Sequence, residues 1–315
     1  MIKIIKWIGV TLLAALIGIT LSHIISEILK DQEIASVYLD ETKLKVFNRN
    51  NQFLWENDFK TEVIKTVLED IDGDKKKELV IGFGDHGEIP GHIMVLNRKS
   101  KELWRVNSYP KSFPIWGGHS DKFKITELLV RDVNHDGEKE VIALANDPLW
   151  YASRIIILNV LGKEVGSFWH PGILGRLYLF QDVLSNHGTA VVCIGVNNDF
   201  RQFFKDSKPY LYHSVIFLLE ATNVFGQAPP YCSNLPKGTH KWYRVILPQG
   251  RSIKSVDWSK ELRYFRIEIN DGRIFYLNAN GEIIKKGIGD EWAKYEGEKF
   301  DTFYEEQDFL SNIEE

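Results

Sequence analysis

Two short phrases recur along the chain at intervals of about 50 to 60 residues, and this repetition limits the possible folds more than any other feature. The first phrase is an apolar run that ends in Asn and is followed by a tight turn and then, in most copies, a Trp; its asparagines are Asn48, Asn97, Asn159 and Asn278. The second phrase is an acidic or polar loop between two apolar runs, as in residues 69–83 and 131–144. A repeat of this length indicates a series of similar structural units rather than one irregular domain.

Each unit reads as strand, polar loop, strand, variable loop, strand, tight turn, strand. Four short strands per unit are typical of a β-propeller blade. The 18 Phe, 12 Tyr and 9 Trp residues, against 2 Met, also favour strands over a helical bundle. We therefore predict an all-β fold, a β-propeller of five blades with four antiparallel strands each. A β-sandwich or two separate small β domains are the alternatives, and the regular repetition of both phrases weighs against them.

The repeats place the predicted propeller domain over residues 31–289. The individual repeats are predicted at residues 34–58, 62–108, 123–171, 174–226 and 242–289. The first repeat lacks its opening strand. Residues 290–315 form an acidic and aromatic tail, and its segment 298–306 is a candidate to supply that strand and close the ring.

The N-terminal 30 residues differ from the rest of the chain. Residues 7–26 contain no Asp, Glu, Lys or Arg, and a helix of this length spans about 30 Å, the thickness of a bilayer's hydrocarbon core. Lys3 and Lys6 precede the run and Glu27 follows it, which favours a cytoplasmic N-terminus. We therefore predict a transmembrane signal-anchor helix within residues 1–30, with residues 7–26 in the lipid bilayer. The propeller would then be exported, to the periplasm or the extracellular space; a cleaved signal peptide is the alternative.

The loop of residues 132–140 has the donor spacing of a calcium loop. Oxygen donors fall at its first, third, fifth, seventh and ninth positions, the seventh through a backbone carbonyl: Asp132, Asn134, Asp136, Glu138 and Glu140. Gly137 permits the left-handed turn that lets a loop supply the six to eight oxygens Ca²⁺ requires. An EF-hand would need Glu at the twelfth position, where Ala143 stands, and flanking helices. We therefore predict a structural calcium site in a strand-loop-strand context.

A second copy of this spacing lies at residues 70–78, with donors at Asp70, Asp72, Asp74 and Glu78. Its glycine has moved to Gly73, and three lysines at 75–77 crowd the loop. Because like charge opposes cation binding, we predict a weaker calcium site here. A third copy at residues 182–190 keeps only Asp182 and Asn186 as side-chain donors and is predicted to be metal-free. Ordinary turn chemistry of Asp, Asn and Gly is the alternative for all copies.

These acidic loops, each followed by strands ending in "GHIMVLN" or "RIIILN", resemble the FG-GAP/VCBS repeats of integrin alpha-chain propellers and many exported microbial proteins. The resemblance covers most of residues 62–171 and weakens afterwards. It implies a β-propeller whose acidic loops hold structural calcium, with Asp132, Asn134, Asp136, Glu138 and Glu140 as the matching positions. It further implies ligand recognition without naming the ligand.

A recognition surface is predicted on the face opposite to the acidic loops. In an antiparallel blade the first and third loops share one end, so the second loops and the connections between blades lie at the other end. The long segments assigned to that end, among them residues 224–242, are rich in aromatic residues and contain an Arg, which are frequent anchors of binding surfaces. The candidate residues are His86, Trp116, His119, Trp150, Tyr151, Phe200, Arg201, Phe203 and Phe204. A lid that only covers the core is the alternative.

These features predict a membrane-anchored propeller that binds or scaffolds a protein or glycan partner. The alternative is an extracytoplasmic hydrolase or lyase with an active site among the aromatic loops, for which His86, His119 and Arg201 are the first candidates. Their spacing specifies no catalytic geometry, so no catalytic residue is assigned. A net charge of −4 without a basic stripe argues against a nucleic-acid partner.

Overall fold

The computed structural model describes residues 17–22, 32–84, 91–108, 123–149, 152–184, 188–197, 213–229, 235–246, 252–289 and 303–305. Within these ranges the chain forms 21 strands in five sheets. All strand pairs are antiparallel except one, so the predicted all-β fold is confirmed.

The sheets follow one another in chain order. The first contains β1 (Ile34–Asp40), β2 (Lys43–Asn48) and β3 (Phe53–Asp58). The second contains β4 (Val63–Glu69), β5 (Glu78–Phe83), β6 (His92–Leu96) and β7 (Glu102–Asn107). The third contains β8 (Lys124–Arg131), β9 (Glu140–Asn146), β10 (Ser153–Leu158), β11 (Glu164–His170) and the short β15 (Phe225–Gln227).

The last two sheets use the C-terminal half of the chain. The fourth contains β12 (Ile173–Phe180), β13 (Ala190–Val196), β14 (Ser214–Glu220), β16 (Trp242–Ile246) and the short β21 (Phe303–Glu305). The fifth contains β17 (Ile253–Ser259), β18 (Tyr264–Ile269), β19 (Arg273–Asn278) and β20 (Ile283–Ile288).

Four apolar clusters lie between consecutive sheets. β13 shows how one strand serves two of them, because successive side chains of a strand point to opposite faces. Val191 and Cys193 pack in the cluster shared with the third sheet, whereas Val192 and Ile194 pack in the cluster shared with the fifth sheet. The central strands are therefore buried on both faces, which explains why their sequences are continuous apolar runs rather than alternating ones.

The repeated asparagines close the hairpins between the third and fourth strands of their units. In the third sheet, Asn159 Oδ1 accepts hydrogen bonds from the backbone N–H groups of Leu161 (3.1 Å) and Lys163 (2.9 Å). The same pair of bonds, to residues two and four positions ahead, is made by Asn48, Asn97 and Asn278. An Asn side chain that caps its own turn is a known way to stabilise a hairpin loop.

Tryptophans join three of the sheets to the sheet that follows them in the chain. Trp104 Nε1 donates to the backbone carbonyl of Val160, 2.8 Å away, in the Asn159 turn of the third sheet. Trp55 donates in the same way to Arg98 (2.9 Å) and Trp242 to Ala279 (3.0 Å). Each acceptor is the residue directly after the capping Asn, so the two halves of the repeated phrase are parts of one contact between sheets.

Glycine under the indole ring allows this approach in two of the turns. Gly162 has a φ of +74° and a Cβ there would lie 2.7 Å from the Trp104 ring. Gly281, with a φ of +77°, has the same relation to Trp242 at 2.5 Å. A larger residue at either position would combine left-handed strain with a clash against the indole.

The fourth sheet departs from the repeat pattern. Glu220 replaces the capping Asn, and residues 221–241 connect β14 to β16 instead of a tight turn. On the way, β15 pairs in parallel with β11 of the third sheet. Residues 242–246 thus belong to the fourth sheet. The predicted repeat boundaries had assigned them to the fifth unit, residues 242–289. The prediction that segment 224–242 lies opposite to the acidic loops is wrong, because a connection between the third and fourth strands starts at the acidic-loop end.

The first sheet has three strands in the described part of the chain, in agreement with the missing opening strand in its repeat. β21, within the predicted ring-closing segment, pairs with β16 of the fourth sheet rather than with the first sheet. The described residues of the tail therefore extend the fourth sheet.

The predicted transmembrane anchor is corrected by the structure. Of the predicted span, the structure describes residues 17–22, which are helical. Among the residues that the structure describes, no helix is long and apolar enough to cross a membrane. This finding contradicts the prediction of a single-pass membrane protein with residues 7–26 in the bilayer and an exported propeller. The other residues of that span lie outside the described ranges.

The contact between sheets predicts the effect of Trp104→Phe. The variant keeps an aromatic ring but loses the hydrogen bond to the Val160 carbonyl, which is worth about 1 kcal/mol of unfolding free energy. Trp258→Phe is the matched control, because the buried Trp258 Nε1 has no hydrogen-bond partner within the described part of the chain. Urea denaturation should show Trp104→Phe to be less stable than Trp258→Phe by about 1 kcal/mol. Equal stability of the two variants would contradict the proposed role of the indole N–H.

Candidate cation site and the opposite face

The two acidic loops have the same backbone shape. In residues 70–78 the left-handed positions are Gly73 (φ +79°) and Lys75 (φ +68°), the fourth and sixth of the loop. In residues 132–140 they are His135 (φ +63°) and Gly137 (φ +95°), again the fourth and sixth. Each loop therefore has one glycine for two left-handed positions, which explains why the glycine could move between the copies without changing the fold of the loop.

The first Asp of each loop holds this shape. Asp70 accepts hydrogen bonds from the backbone N–H groups of Gly73 (2.8 Å) and Lys75 (3.0 Å). Asp132 accepts the corresponding bonds from His135 (2.6 Å) and Gly137 (3.0 Å). These bonds fix the backbone without consuming every lone pair of the carboxylates, so the same groups remain able to face a cation.

The last Glu of each loop is buried beneath it. Glu78 Oε2 accepts the backbone N–H of Ile71 (3.1 Å), and Glu140 Oε2 accepts that of Val133 (3.0 Å). Burial, with further contributions from the nearby Asp72, Asp74 and Asp70, raises the pKa of Glu78 to about 7. Burial likewise raises the pKa of Glu140. Burial and neighbouring negative charges both disfavour the ionised form of a carboxylate, and a bound cation would offset both effects.

The loop at 70–78 brings three carboxylates together. Oxygen atoms of Asp70, Asp72 and Glu78 lie within 4.8 Å of one another. Two oxygens on opposite sides of one Ca²⁺ are about 5 Å apart, so this spacing fits a single ion. Asp74, the fourth predicted donor, instead pairs with Lys76 at 2.7 Å, and this hydrogen bond lowers the pKa of Asp74. Lys76 thus forms an ion pair with one of the predicted ligands of this loop.

The loop at 132–140 has an amide where the other loop has a carboxylate. Asn134 Nδ2 donates to Asp136 Oδ2 (2.9 Å) and to Glu140 Oε1 (3.2 Å), so an N–H group lies between two predicted ligands. Its Oδ1 accepts the backbone N–H of Asp136 at 3.0 Å. Among the described residues, three carboxylates thus converge in residues 70–78, whereas in residues 132–140 an amide N–H lies between two of the acids. Glu138 is exposed and its backbone N–H donates to Asp136.

The third copy of the loop, residues 182–190, has lost most of its donors and is contacted by basic side chains of the fifth sheet. Lys260 Nζ pairs with the Asp182 carboxylate, and Arg263 donates to the backbone carbonyls of Asp182 (2.6 Å) and Val183 (3.1 Å). Asn186, the other donor retained in this copy, lies outside the described residues. The positive charge that an ion would supply is thus provided by the protein itself at Asp182.

The predicted recognition residues lie outside the residues that the structure describes: His86, Trp116, His119, Trp150, Tyr151, Phe200, Arg201, Phe203 and Phe204. The described residues at the ends of the strands that these loops connect include exposed apolar side chains. Leu149, next to Trp150, is 61% exposed, and Ile173 at the start of β12 is 37% exposed. A cavity of about 170 Å³ opens at the same end of the fourth and fifth sheets, lined by Ile173, Gly175, Ile194, Gly195, Val196, Ser214, Ser252 and Ile253.

A larger groove, of about 1000 Å³, lies between the outer strands of the second and third sheets and was not predicted from the sequence. Arg154 lies in it, paired with Glu164 at 2.6 Å and placed over the Trp169 ring at 5.6 Å. Burial lowers the pKa of Arg154, and Glu164 opposes this effect. In the sequence, the only sign of this groove is an Arg near the start of the apolar run "SRIIIL". That Arg does not indicate which residues surround it.

Comparisons with known proteins agree with the fold. No family model matches the sequence, and no curated protein matches it. Among solved structures, the chain is similar to Sqt1 of Saccharomyces cerevisiae, with a TM-score of 0.51 and 12% identity over 81% of this chain and 60% of that one. The β-propeller domain of Cps50 (Swd1) of Myceliophteria thermophila has a TM-score of 0.47 and 12% identity over 81% and 73%. BBS1N, solved in complex with ARL6DN, has a TM-score of 0.47 and 11% identity over 81% and 64%.

The five successive sheets and the similarity to Sqt1 define a β-propeller. At 12% identity the similarity concerns the fold alone. The chain spans about 60–64% of the length of the first structures it matches.

The raised pKa of Glu78 predicts a pH-dependent effect of Glu78→Gln. Because the pKa of Glu78 is raised on folding, its ionisation destabilises the fold increasingly as the pH rises from the ordinary value of 4.5 to the folded-state pKa of about 7, and has no such effect below 4.5. In buffer with a chelator, the variant should be more stable than the wild type by about 1 kcal/mol at pH 8, and this difference should vanish towards pH 4. Urea denaturation at both pH values measures it. Glu138→Gln, at an exposed position, is the control; a similar pH-dependent gain there would contradict the prediction.

Proposed function

We propose that this protein is a β-propeller of the FG-GAP/VCBS type that binds or scaffolds a partner, a protein in the first instance, and that calcium stiffens its acidic loops. The calcium proposal is supported by the convergence of Asp70, Asp72 and Glu78 in the loop between β4 and β5 of the second sheet. The resemblance of residues 62–171 to FG-GAP/VCBS repeats supports the same assignment. The ion would have a structural role, because its ligands curve the loop between two strands.

Residues 70–78 would hold the first ion through the carboxylates of Asp70, Asp72 and Glu78. Residues 132–140 would hold a second one through Asp132, Asn134, Asp136 and Glu140 and the Glu138 carbonyl, provided that Asn134 turns its oxygen towards the loop. The two loops are in contact, since Lys139 N–H donates to the Ile71 carbonyl at 2.9 Å and Lys139 Nζ pairs with Glu69. An ion in either loop would therefore stiffen the contact between the second and third sheets.

Partner binding is proposed for the face opposite to these loops. The exposed Leu149 and Ile173 and the small apolar cavity beside Ile173 support this choice. Accessible apolar groups around a concave feature are typical of binding surfaces, which aromatic and Arg side chains then anchor. Trp150, Tyr151 and Arg201 are the proposed anchors, by their positions in the loops at this end.

The calcium proposal predicts stabilisation by the ion. Calcium at 100 times its dissociation constant should add about 2.7 kcal/mol to the unfolding free energy, seen as a higher melting temperature than in a chelator. Asp72→Asn should remove most of this gain from residues 70–78, although Asn keeps an acceptor for the Asp74 N–H. Calorimetric titration should show the loss of one binding event.

Asp257→Asn is the matched control, since Asp257 is an acidic residue of the fifth sheet outside both loops. It should bind calcium like the wild type. Melting curves that coincide with calcium and with chelator in the wild type would refute the calcium proposal, and would leave the partner proposal to its own test.

The partner proposal is tested by crosslinking mass spectrometry with the purified full chain and its cellular extract. Replacement of Trp150, Tyr151 and Arg201 by Ala should remove specific crosslinks that the wild type forms reproducibly. Leu161→Ala is the control, because Leu161 is 77% exposed on the acidic-loop side. Loss of the same crosslinks in both variants, or in neither, would place partner binding elsewhere.

A further inference from the structure

The groove beside Arg154 takes no part in the proposed calcium sites or in the proposed partner surface. Its walls come from β7, from β10 and β11, and from described residues of the connection 221–241. Most of the lining is apolar, and Val165 (57%) and Phe225 (56%) are also exposed. A volume of about 1000 Å³ lies at the upper end of the range for small-molecule sites. The groove is therefore large enough to hold a ligand.

The register of the third sheet places polar groups on the wall of this groove. Glu164 faces Leu158 and Ser167 faces Ile156, in the strand β10 that also carries Arg154. Residues opposite each other in a sheet point to the same face, as do alternate residues of one strand, so the three polar side chains share a face. Accordingly, Arg154 Nε donates to Ser167 Oγ (2.9 Å) and Nη2 donates to Glu164 Oε1 (2.6 Å).

Arg154 has more hydrogen-bond donors than acceptors around it in the described part of the chain. The residue is 7% exposed, and a guanidinium carries five N–H groups. Its bonds to Ser167 and Glu164 use two of them, and a third points to the Ser108 carbonyl at a long 3.5 Å. Two N–H groups thus have no acceptor among the described residues. Because an unpaired buried donor is unfavourable, a ligand with acceptor oxygens would be stabilised here.

The backbone of β11 in this groove is already paired. β15 adds to β11 in parallel over residues 167–169. The Ser167 N–H donates to the Val224 carbonyl (2.9 Å), and the Ala228 N–H donates to the Trp169 carbonyl (2.8 Å). Recognition on this wall therefore depends on side chains. That favours a small ligand over an extended peptide, which would need free backbone groups to add as a strand.

We propose that this groove binds a small organic acid, a molecule with one carboxylate and an apolar chain or ring. The carboxylate would accept hydrogen bonds from Arg154, since charge-assisted bonds of this kind are the strong ones. The apolar part would lie against Val165 and Phe225. The Glu164 side chain is 39% exposed, so water screens its repulsion of a second carboxylate. This inference is independent of calcium and of the opposite face.

The test titrates the full chain with phenylacetate and hexanoate and, in parallel, with phenylacetamide and hexanamide, which have nearly the same shapes but no charge. Calorimetry should show that at least one acid binds with a Kd of about 1 mM or lower, and that its amide binds at least about tenfold more weakly. Arg154→Met keeps an unbranched side chain and should abolish this preference. Arg176→Met, the same change at an exposed Arg of the fourth sheet, should keep it.

A second variant tests the apolar wall. Phe225→Ala removes an exposed ring from the groove and should weaken the binding of the acid and of its amide alike, by about fivefold. Leu262→Ala, at an exposed apolar residue of the fifth sheet, should change neither.

Several results would overturn the proposal. They are no binding of either acid, equal binding of each acid and its amide to the wild type, and an unchanged preference in Arg154→Met. Much tighter binding of an acetylated Val-Val-Phe peptide with a free carboxyl end would assign the groove to the end of a protein chain instead. Circular dichroism verifies folding. If Arg154→Met is unfolded, Arg154→Lys, which keeps the charge but has fewer donors, should weaken binding of the acid and leave that of the amide unchanged.

Discussion

At three of the four contacts between consecutive sheets, an indole N–H donates a hydrogen bond to a turn carbonyl of the next sheet. The acceptor is available because the preceding Asn caps the turn with its own side chain, which fixes the backbone just where the indole arrives. Gly162 and Gly281 provide the space for the ring. The contact places the outer strands of neighbouring sheets at a set distance, and the apolar clusters between the sheets fill the space behind them. The repeated phrase therefore encodes both a turn within one sheet and the contact of that turn with the neighbouring sheet.

The acidic loops are positioned by this stacking. Their second residues, Ile71 and Val133, are buried in the clusters between sheets, and the buried Glu78 and Glu140 hold the backbone of those residues from below. The remaining carboxylates are left at the surface with the backbone curved around them. Because burial of Glu78 beside three Asp residues is electrostatically unfavourable, this end of the second sheet is suited to a cation. At the third copy, basic side chains of the fifth sheet take that place.

The fourth sheet shows how the repeat can be altered without loss of the fold. Glu220 stands where other sheets have the capping Asn, and the chain leaves on a 21-residue connection, residues 221–241. Trp242 nevertheless makes the expected bond to Ala279. The connection returns to the same strand position, so only the turn is replaced. What it adds is β15 on the neighbouring sheet and one wall of the groove beside Arg154.

The sequence by itself determined the all-β class, the number of repeats, the positions of the repeated asparagines and the two acidic loops, because these depend on phrases that recur every 50 to 60 residues and on turn chemistry. It could not determine which cations and carboxylates meet, since Lys76 at Asp74, Asn134 between two acids and Lys260 at Asp182 depend on side-chain direction and on packing between sheets. Nor could it assign residues 242–246 to the fourth sheet, or β15 and β21 to the edges they cover. Strand pairing over long sequence distances is decided by the whole packed structure, where backbone groups must find partners and apolar faces must be buried together.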